Sequence, residues 1–110
     1  MREEADLFKS LSDPHRVRLA ILLALRGELC VCEMAAALDA PEYKVSRHLS
    51  VMRSAGLVEA RREGTWMYYK LTEPRHRLDE CLRECFRDCL ADHETVKADL
   101  ERLGRASCGK

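Results

Sequence analysis

Cys30 and Cys32 stand one residue apart in the stretch ELCVCEM (Glu28–Met34), and two thiols so close in sequence invite a soft ion. In a continuous α-helix, however, residues two apart point about 200° from each other. One ion takes both only where the backbone is non-helical or distorts, because metal–sulfur bonds of about 2.3 Å require sulfurs within roughly 4 Å. Ion binding is therefore expected to bend or unwind the head of any helix that begins here. Cys81, Cys85 and Cys89 form a second set, spaced four apart and so on one helix face. The first and last of these lie about 12 Å apart along a helix axis, so a neighbouring pair binds one ion only with help from another element. Otherwise they fill a helix seam. Cys108, near the C-terminus, has the least in its favour.

Six cysteines in so short a chain also suggest a disulfide scaffold, but that reading needs a secreted context. The Met1 end is acidic and resembles no leader, and no apolar run suits a membrane span, so a cytoplasmic chain is expected. There, clustered thiols bind soft metals or sense redox state. Of the four histidines, His15 near a helix start and His48 on the inner flank of a helix read as structural, while His76 and His93 read as surface or seam residues. No phosphate-cradling loop, nucleophile elbow or carboxylate pair supports an enzyme.

The elements that position these thiols read as follows. Glu3–Leu11 forms a short helix; Asp13 caps and Pro14 starts a second, apolar over most of its surface and therefore central. Val31–Leu38 and a helix of about 41–55 then make a helix-turn-helix, with Pro41 at the start of the second and Gly56 as its stop. Val45, Leu49 and Met52 recur at helical spacing and face inward. Tyr43, Arg47 and Ser50 project to the other side, flanked by Lys44 and Ser46, as expected of a helix that enters the major groove. Residues 57–71 read as a β-hairpin turning at Gly64, a wing whose Arg61, Arg62 and Thr65 are expected to meet phosphate or the minor groove. An amphipathic helix over about 74–103 lacks internal Pro and Gly. Leu78, Leu82, Cys85, Cys89, His93, Val96, Leu100 and Leu103 recur along it at spacings of three and four, which predicts pairing with a second subunit. Residues 104–110 are expected to fray. The fold class is thus mainly α with a small β-hairpin: one winged helix-turn-helix domain, dimeric through terminal helices.

Formal net charge is zero, yet its distribution is uneven. Residues 41–70 hold six basic and three acidic side chains, whereas residues 1–40 hold five and seven and residues 71–110 eight and nine. The positive excess falls on the reading helix and wing, as a phosphate-binding face requires.

Together with VSRHL (Val45–Leu49), AGLV (Ala55–Val58), LSDPHR (Leu11–Arg16) and GTWMYYKL (Gly64–Leu71), the ELCVCEM stretch resembles the ArsR/SmtB family of metal-sensing repressors, its arsenic-responsive branch in particular. The resemblance spans most of residues 3–71. It implies a repressor that leaves its operator when As(III) or Sb(III) binds Cys30 and Cys32, with no organic cofactor. Family members with a complete trithiolate site carry a third cysteine where this chain has Ala35, so the third ligand comes from elsewhere, with Cys81, Cys85 and Cys89 as the candidates, or from solvent. The family's zinc site on the last helix maps to Glu73, Arg75, Phe86 and Cys89, and arginine and phenylalanine are not ligands. The family's usual serine at the start of the reading helix is Pro41, followed by Glu42.

Three functions fit these features. The first is a homodimeric, operator-binding repressor released by trivalent arsenic or antimony. The second is a redox or persulfide sensor on the same fold, pairing a cysteine of the last helix with Cys30 or Cys32. The third is an arsenic-sequestering thiol protein without a DNA role, which salt-sensitive DNA binding would exclude.

Overall fold

A computed structural model describes residues 1–108; Gly109 and Lys110, part of the expected frayed tail, lie outside the described residues. Six helices and three strands follow in the order α1 (Arg2–Ser10), α2 (Pro14–Arg26), β1 (Glu28–Cys30), α3 (Val31–Leu38), α4 (Glu42–Ser54), β2 (Val58–Glu63), β3 (Trp66–Leu71), α5 (Arg77–Asp88) and α6 (Glu94–Gly104). Among the described residues, no helix is long and apolar enough to cross a membrane.

The α2 helix is the central element, as its apolar sequence predicts. Asp13 caps it by accepting hydrogen bonds from the N–H groups of His15 (2.8 Å) and Arg16 (3.3 Å), and Pro14 fills its first turn. Leu19, Ala20, Ile21, Leu22 and Leu23 are buried in succession, so neighbours cover it on most sides. Val45, Leu49 and Met52 of α4 join the same core, together with Met34 and Leu38 of α3. A left-handed Asp39 ends α3 (φ 53°), and Pro41 stands just before α4 as its cap residue rather than inside its first turn. At the other end, Gly56 adopts φ 80° while the Leu57 N–H reaches back to the Met52 carbonyl, closing α4. A side chain there would be strained, and its Cβ would come within 3.1 Å of the Arg75 guanidinium.

The hairpin is as the sequence predicts, with Glu63 opposite Trp66 across a two-residue turn at Gly64 and Thr65. The sequence reading did not anticipate a third strand. The antiparallel sheet runs β1-β3-β2, and β1 seats Glu28, Leu29 and Cys30 opposite Lys70, Tyr69 and Tyr68.

The expected helix over 74–103 is two helices. A straight helix of that length would run about 45 Å, longer than the molecule's greatest dimension of 42 Å. After α5 the chain turns at Cys89–Asp92, and His93 caps α6 by accepting the Thr95 N–H at Nδ1 (3.1 Å). This turn lets α6 fold back along α3. Leu82, Val96 and Leu100, expected on an open dimer stripe, consequently pack on the chain's own core. Leu78 is half-buried, and Cys85 and Cys89 remain exposed.

A buried carboxylate holds α6 in place. Asp99, fully buried, accepts two hydrogen bonds from Arg18 (2.6 and 2.9 Å) and one from Arg102 (2.8 Å). Arg102 also donates to the Ala37 carbonyl (2.8 Å), and Arg18 reaches the Leu38 carbonyl (3.5 Å). The last orphan carbonyls of α3 are thus satisfied from α2 and α6. Removing the carboxylate leaves two guanidiniums facing each other without an anion. Asp99→Ala should therefore lose about 3–5 kcal/mol of stability. Denaturant titration checks this, and a loss below about 1 kcal/mol would place the lock elsewhere.

Candidate thiol centre and nucleic-acid interface

The thiol pair sits where a strand becomes a helix. Cys30 is the last residue of β1 and the cap residue of α3, with extended backbone (φ −85°, ψ 160°); Cys32 is the second residue of the helix proper. The Cys30 N–H donates to the Glu33 carboxylate (3.0 Å), which pins the strand-to-helix corner. Because Cys30 is not helical, the two thiols escape the 200° separation of a continuous helix. Their sulfurs lie 3.5 Å apart, within the reach of one ion. The expected bending of the α3 head on ligation is therefore unnecessary; β1 has already made the bend.

The third sulfur in this corner belongs to Cys108, the cysteine the sequence reading ranked last. The sulfurs of Cys30, Cys32 and Cys108 all lie within 4.8 Å of one another. Cys32 and Cys108 are joined as a disulfide across 76 residues, with Cα atoms 6.1 Å apart. The tail as far as Cys108 is thus fastened to α3. Cys81 and Cys85 lie elsewhere, exposed on α5, which packs against α2, and Cys89 is exposed as the residue that ends it. A hydrogen bond to Cys89 pushes the Cys85 thiol up from its ordinary pKa, so it holds its proton more firmly. No α5 cysteine joins the Cys30–Cys32–Cys108 cluster. Sequence spacing gave no sign of Cys108 as a partner; only the fold-back of α6 along α3 brings it there.

An open hollow beside Cys32 and Cys108 is lined by Ala35, Asp39, Pro41, Glu42 and Trp66. Pro41 and Glu42 lead into α4, and Trp66 opens β3. The thiol centre therefore adjoins both the start of the reading helix and the turn end of the wing. Ala35 lines the same hollow and offers no donor atom.

On α4, Tyr43, Lys44, Arg47 and Ser50 are exposed and Ser46 is half-buried, opposite the buried Val45, Leu49 and Met52. The Arg47 guanidinium lies 6.0 Å from the Tyr43 ring centroid, at the outer edge of cation–π range. Arg62 and Thr65 are exposed on the hairpin. Arg61, expected to meet phosphate, is engaged instead. It donates to Glu28 (2.8 to 3.1 Å) and Glu63 (2.8 Å) and lies 4.5 Å from the Tyr68 centroid, so it clamps β2 across β3 to β1. That hydrogen bonding holds the Glu28 carboxyl below its ordinary pKa.

His48, on the inner flank of α4, stacks on His15 with centroids 5.3 Å apart, and its Nδ1 lies 3.2 Å from the Arg16 guanidinium. Asp13, His15 and His48 offer three possible ligand atoms within 4.8 Å. The adjacent Arg16 cation opposes a metal there, and the group serves as the contact between α2 and the reading helix. Burial is the largest cause lowering the His48 pKa; Asp13 raises it, while Arg16, His15 and Arg47 lower it further. The folded state therefore binds its proton less readily than the unfolded chain. This contribution to stability is present above about pH 6.5 and is lost as pH falls through the folded-state value. Denaturation followed from pH 7.5 to 5 should show that decline in the parent and a shallower one in His48→Gln. Identical profiles would remove His48 from the account.

A three-helix core with a reading helix and a β-hairpin wing defines the winged helix-turn-helix class. A family profile described as "Bacterial regulatory protein, arsR family" matches residues 13–60. The Arsenical resistance operon repressor of Escherichia coli is 36% identical over 107 residues, covering 93% of this chain and 86% of that one. This chain belongs to the ArsR family, whose members are transcriptional regulators and not enzymes. The Arsenic resistance transcriptional regulator ArsR2 of Pseudomonas putida is 53% identical over 66 residues, 60% of this chain and 57% of the relative. The chain spans about half the length of the first curated relatives it matches. Among solved structures, the homodimeric winged helix-turn-helix DNA-binding domain Mb0332 from Mycobacterium bovis superposes with a TM-score of 0.65 at 32% identity, covering 99% of this chain and 89% of that one.

Proposed function

We propose that this chain is a homodimeric, DNA-binding transcriptional repressor that releases its operator when trivalent arsenic or antimony binds the Cys30 and Cys32 thiolates. One observation carries the reading: the two sulfurs stand 3.5 Å apart, and Cys32 opens to the hollow that the start of the reading helix and the turn end of the wing also line. An ion held there sits next to the parts whose relative placement decides the fit to a major groove. The relatives named for arsenic resistance favour arsenic among soft ions. Tyr43, Lys44, Ser46, Arg47 and Ser50 on α4, with Arg62 and Thr65 on the wing, make the DNA-facing set. Two reading heads require two copies. Cys85 on α5 and Cys89 at its end stay exposed in the single chain, and they are the part of the expected terminal-helix interface that the core has not absorbed.

Arg47→Ala should weaken operator binding by about 1–3 kcal/mol if the guanidinium grips a guanine edge. Titration on operator and scrambled duplexes at fixed salt measures it, and unchanged operator affinity would remove Arg47 from the reading face.

Cys30→Ser and Cys32→Ser should each keep DNA binding and lose release by arsenite, since a hydroxyl matches the thiol in size and ligates soft ions poorly. Gel-shift titration with arsenite, antimonite, cadmium and zinc in parallel tests both claim and selectivity. Normal arsenite release by the double variant would overturn the reading.

A second reading is favoured by the Cys32–Cys108 disulfide. A redox-responsive repressor would use that pair, rather than the α5 cysteine first expected. Release by peroxide or polysulfide without arsenite, lost in Cys108→Ser, distinguishes it from the arsenic reading.

A further inference from the structure

We propose that Cys108, from the chain's own C-terminal tail, supplies the third sulfur of the thiol centre, so that Cys30, Cys32 and Cys108 together hold one trivalent arsenic. The proposal rests on the reading of Cys30 and Cys32 as the effector site and adds to it the missing ligand and a redox condition. Ala35 contributes no donor atom, and a trivalent arsenic held by two thiols keeps one oxygen. The sulfurs of Cys30, Cys32 and Cys108 already lie within 4.8 Å of one another, close to the roughly 4 Å spacing that bonds of about 2.3 Å allow. Cys30 is fully buried, while Cys32 and Cys108 are half-buried and open to the hollow. The carboxylates of Asp39 and Glu42 rim that hollow. They disfavour an approaching anion and do not repel neutral arsenic trihydroxide.

The chemistry balances without redox at arsenic. Each of three thiols gives its proton to a hydroxide on arsenic, three As–O bonds break, three As–S bonds form and three waters leave. With two thiols, two waters leave and one hydroxide stays. The disulfide between Cys32 and Cys108 withholds two of the three sulfurs. Opening it takes two electrons and two protons, which a dithiol supplies as it closes to its own disulfide. The centre therefore accepts arsenic only when reduced, and the bound ion then fastens the tail to α3 in place of the disulfide. The tail is held beside the start of α4 and the first residue of β3 in either state.

The test uses the full chain carrying Cys81→Ser, Cys85→Ser and Cys89→Ser, positions outside the Cys30–Cys32–Cys108 corner whose thiols would otherwise compete. The protein is reduced with a phosphine, loaded with one equivalent of arsenite and examined by X-ray absorption at the arsenic edge. Three sulfurs per arsenic are expected, falling to two sulfurs and one oxygen when Cys108→Ser is added. The unreduced chain should show no three-sulfur arsenic until phosphine is supplied. Equal coordination with and without Cys108, whether three sulfurs or two, would overturn the third ligand while leaving the Cys30–Cys32 reading intact. Three-sulfur arsenic in the unreduced chain would overturn the redox condition. Arsenic bonded to no sulfur in either chain would overturn the proposal together with the reading beneath it.

Discussion

The buried carboxylate of Asp99 sets the geometry on which the thiol centre depends. It stands between Arg18 on α2 and Arg102 on α6, and both arginines continue to carbonyls at the end of α3. A buried charge is tolerated only when it is paired and hydrogen-bonded, and here three bonds from two guanidiniums meet that condition. The hydrogen bond and the field of the carboxylate also raise the Arg18 pKa. The result is directional as well as stabilising. Apolar packing alone would let α6 slide along α3, whereas three helices joined at one carboxylate fix its register. With Arg102 beside Ala37 near the end of α3, the residues that follow run toward the start of α3, where Cys108 meets Cys32.

The thiol corner is a second consequence of local structure. Pairing of β1 with β3 keeps Cys30 extended, and the Glu33 carboxylate accepts its N–H as the chain turns into α3. A strand of three residues next to a helix of eight is a weak local signal, but it decides how the sulfurs are aimed. Had Cys30 been helical, the pair would have pointed to opposite sides of α3. The same β1 carries Glu28, which Arg61 grips from β2, so the wing and the thiol corner share one sheet. A residue that looked like a phosphate contact thus proves to join the sheet's two outer strands across β3.

What the sequence made legible was local. The Asp13–Pro14 start of α2, the apolar run behind it, the alternation that buries Val45, Leu49 and Met52, and the turn at Gly64 each follow from contacts within a few residues. What it hid depended on distant partners. Nothing between Pro74 and Leu103 breaks a helix by propensity; the break at Cys89–Asp92 arises because Phe86, Val96 and Asp99 all have places in one core. For the same reason Leu82, Val96 and Leu100 read as a stripe for a second subunit. Cys108 was hidden most deeply, since its partner lies 76 residues away and its own neighbours are small and polar.

These two features meet in the tail. After α6 ends at Gly104, only Arg105, Ala106 and Ser107 separate the helix from Cys108, and the first two keep turn hydrogen bonds to Arg102 and Leu103. The closure that brings Cys108 to Cys32 is therefore a matter of a few residues, although it spans most of the chain in sequence. Ordering so short a segment costs little compared with closing a free loop of 76 residues. The greater part of that entropy is already lost when Asp99 draws Arg18 and Arg102 together. A ligand or an oxidant that joins Cys108 to the α3 corner thus acts on a tail held ready by folding. Strain that loosens the Asp99 lock would weaken the thiol centre without touching a sulfur.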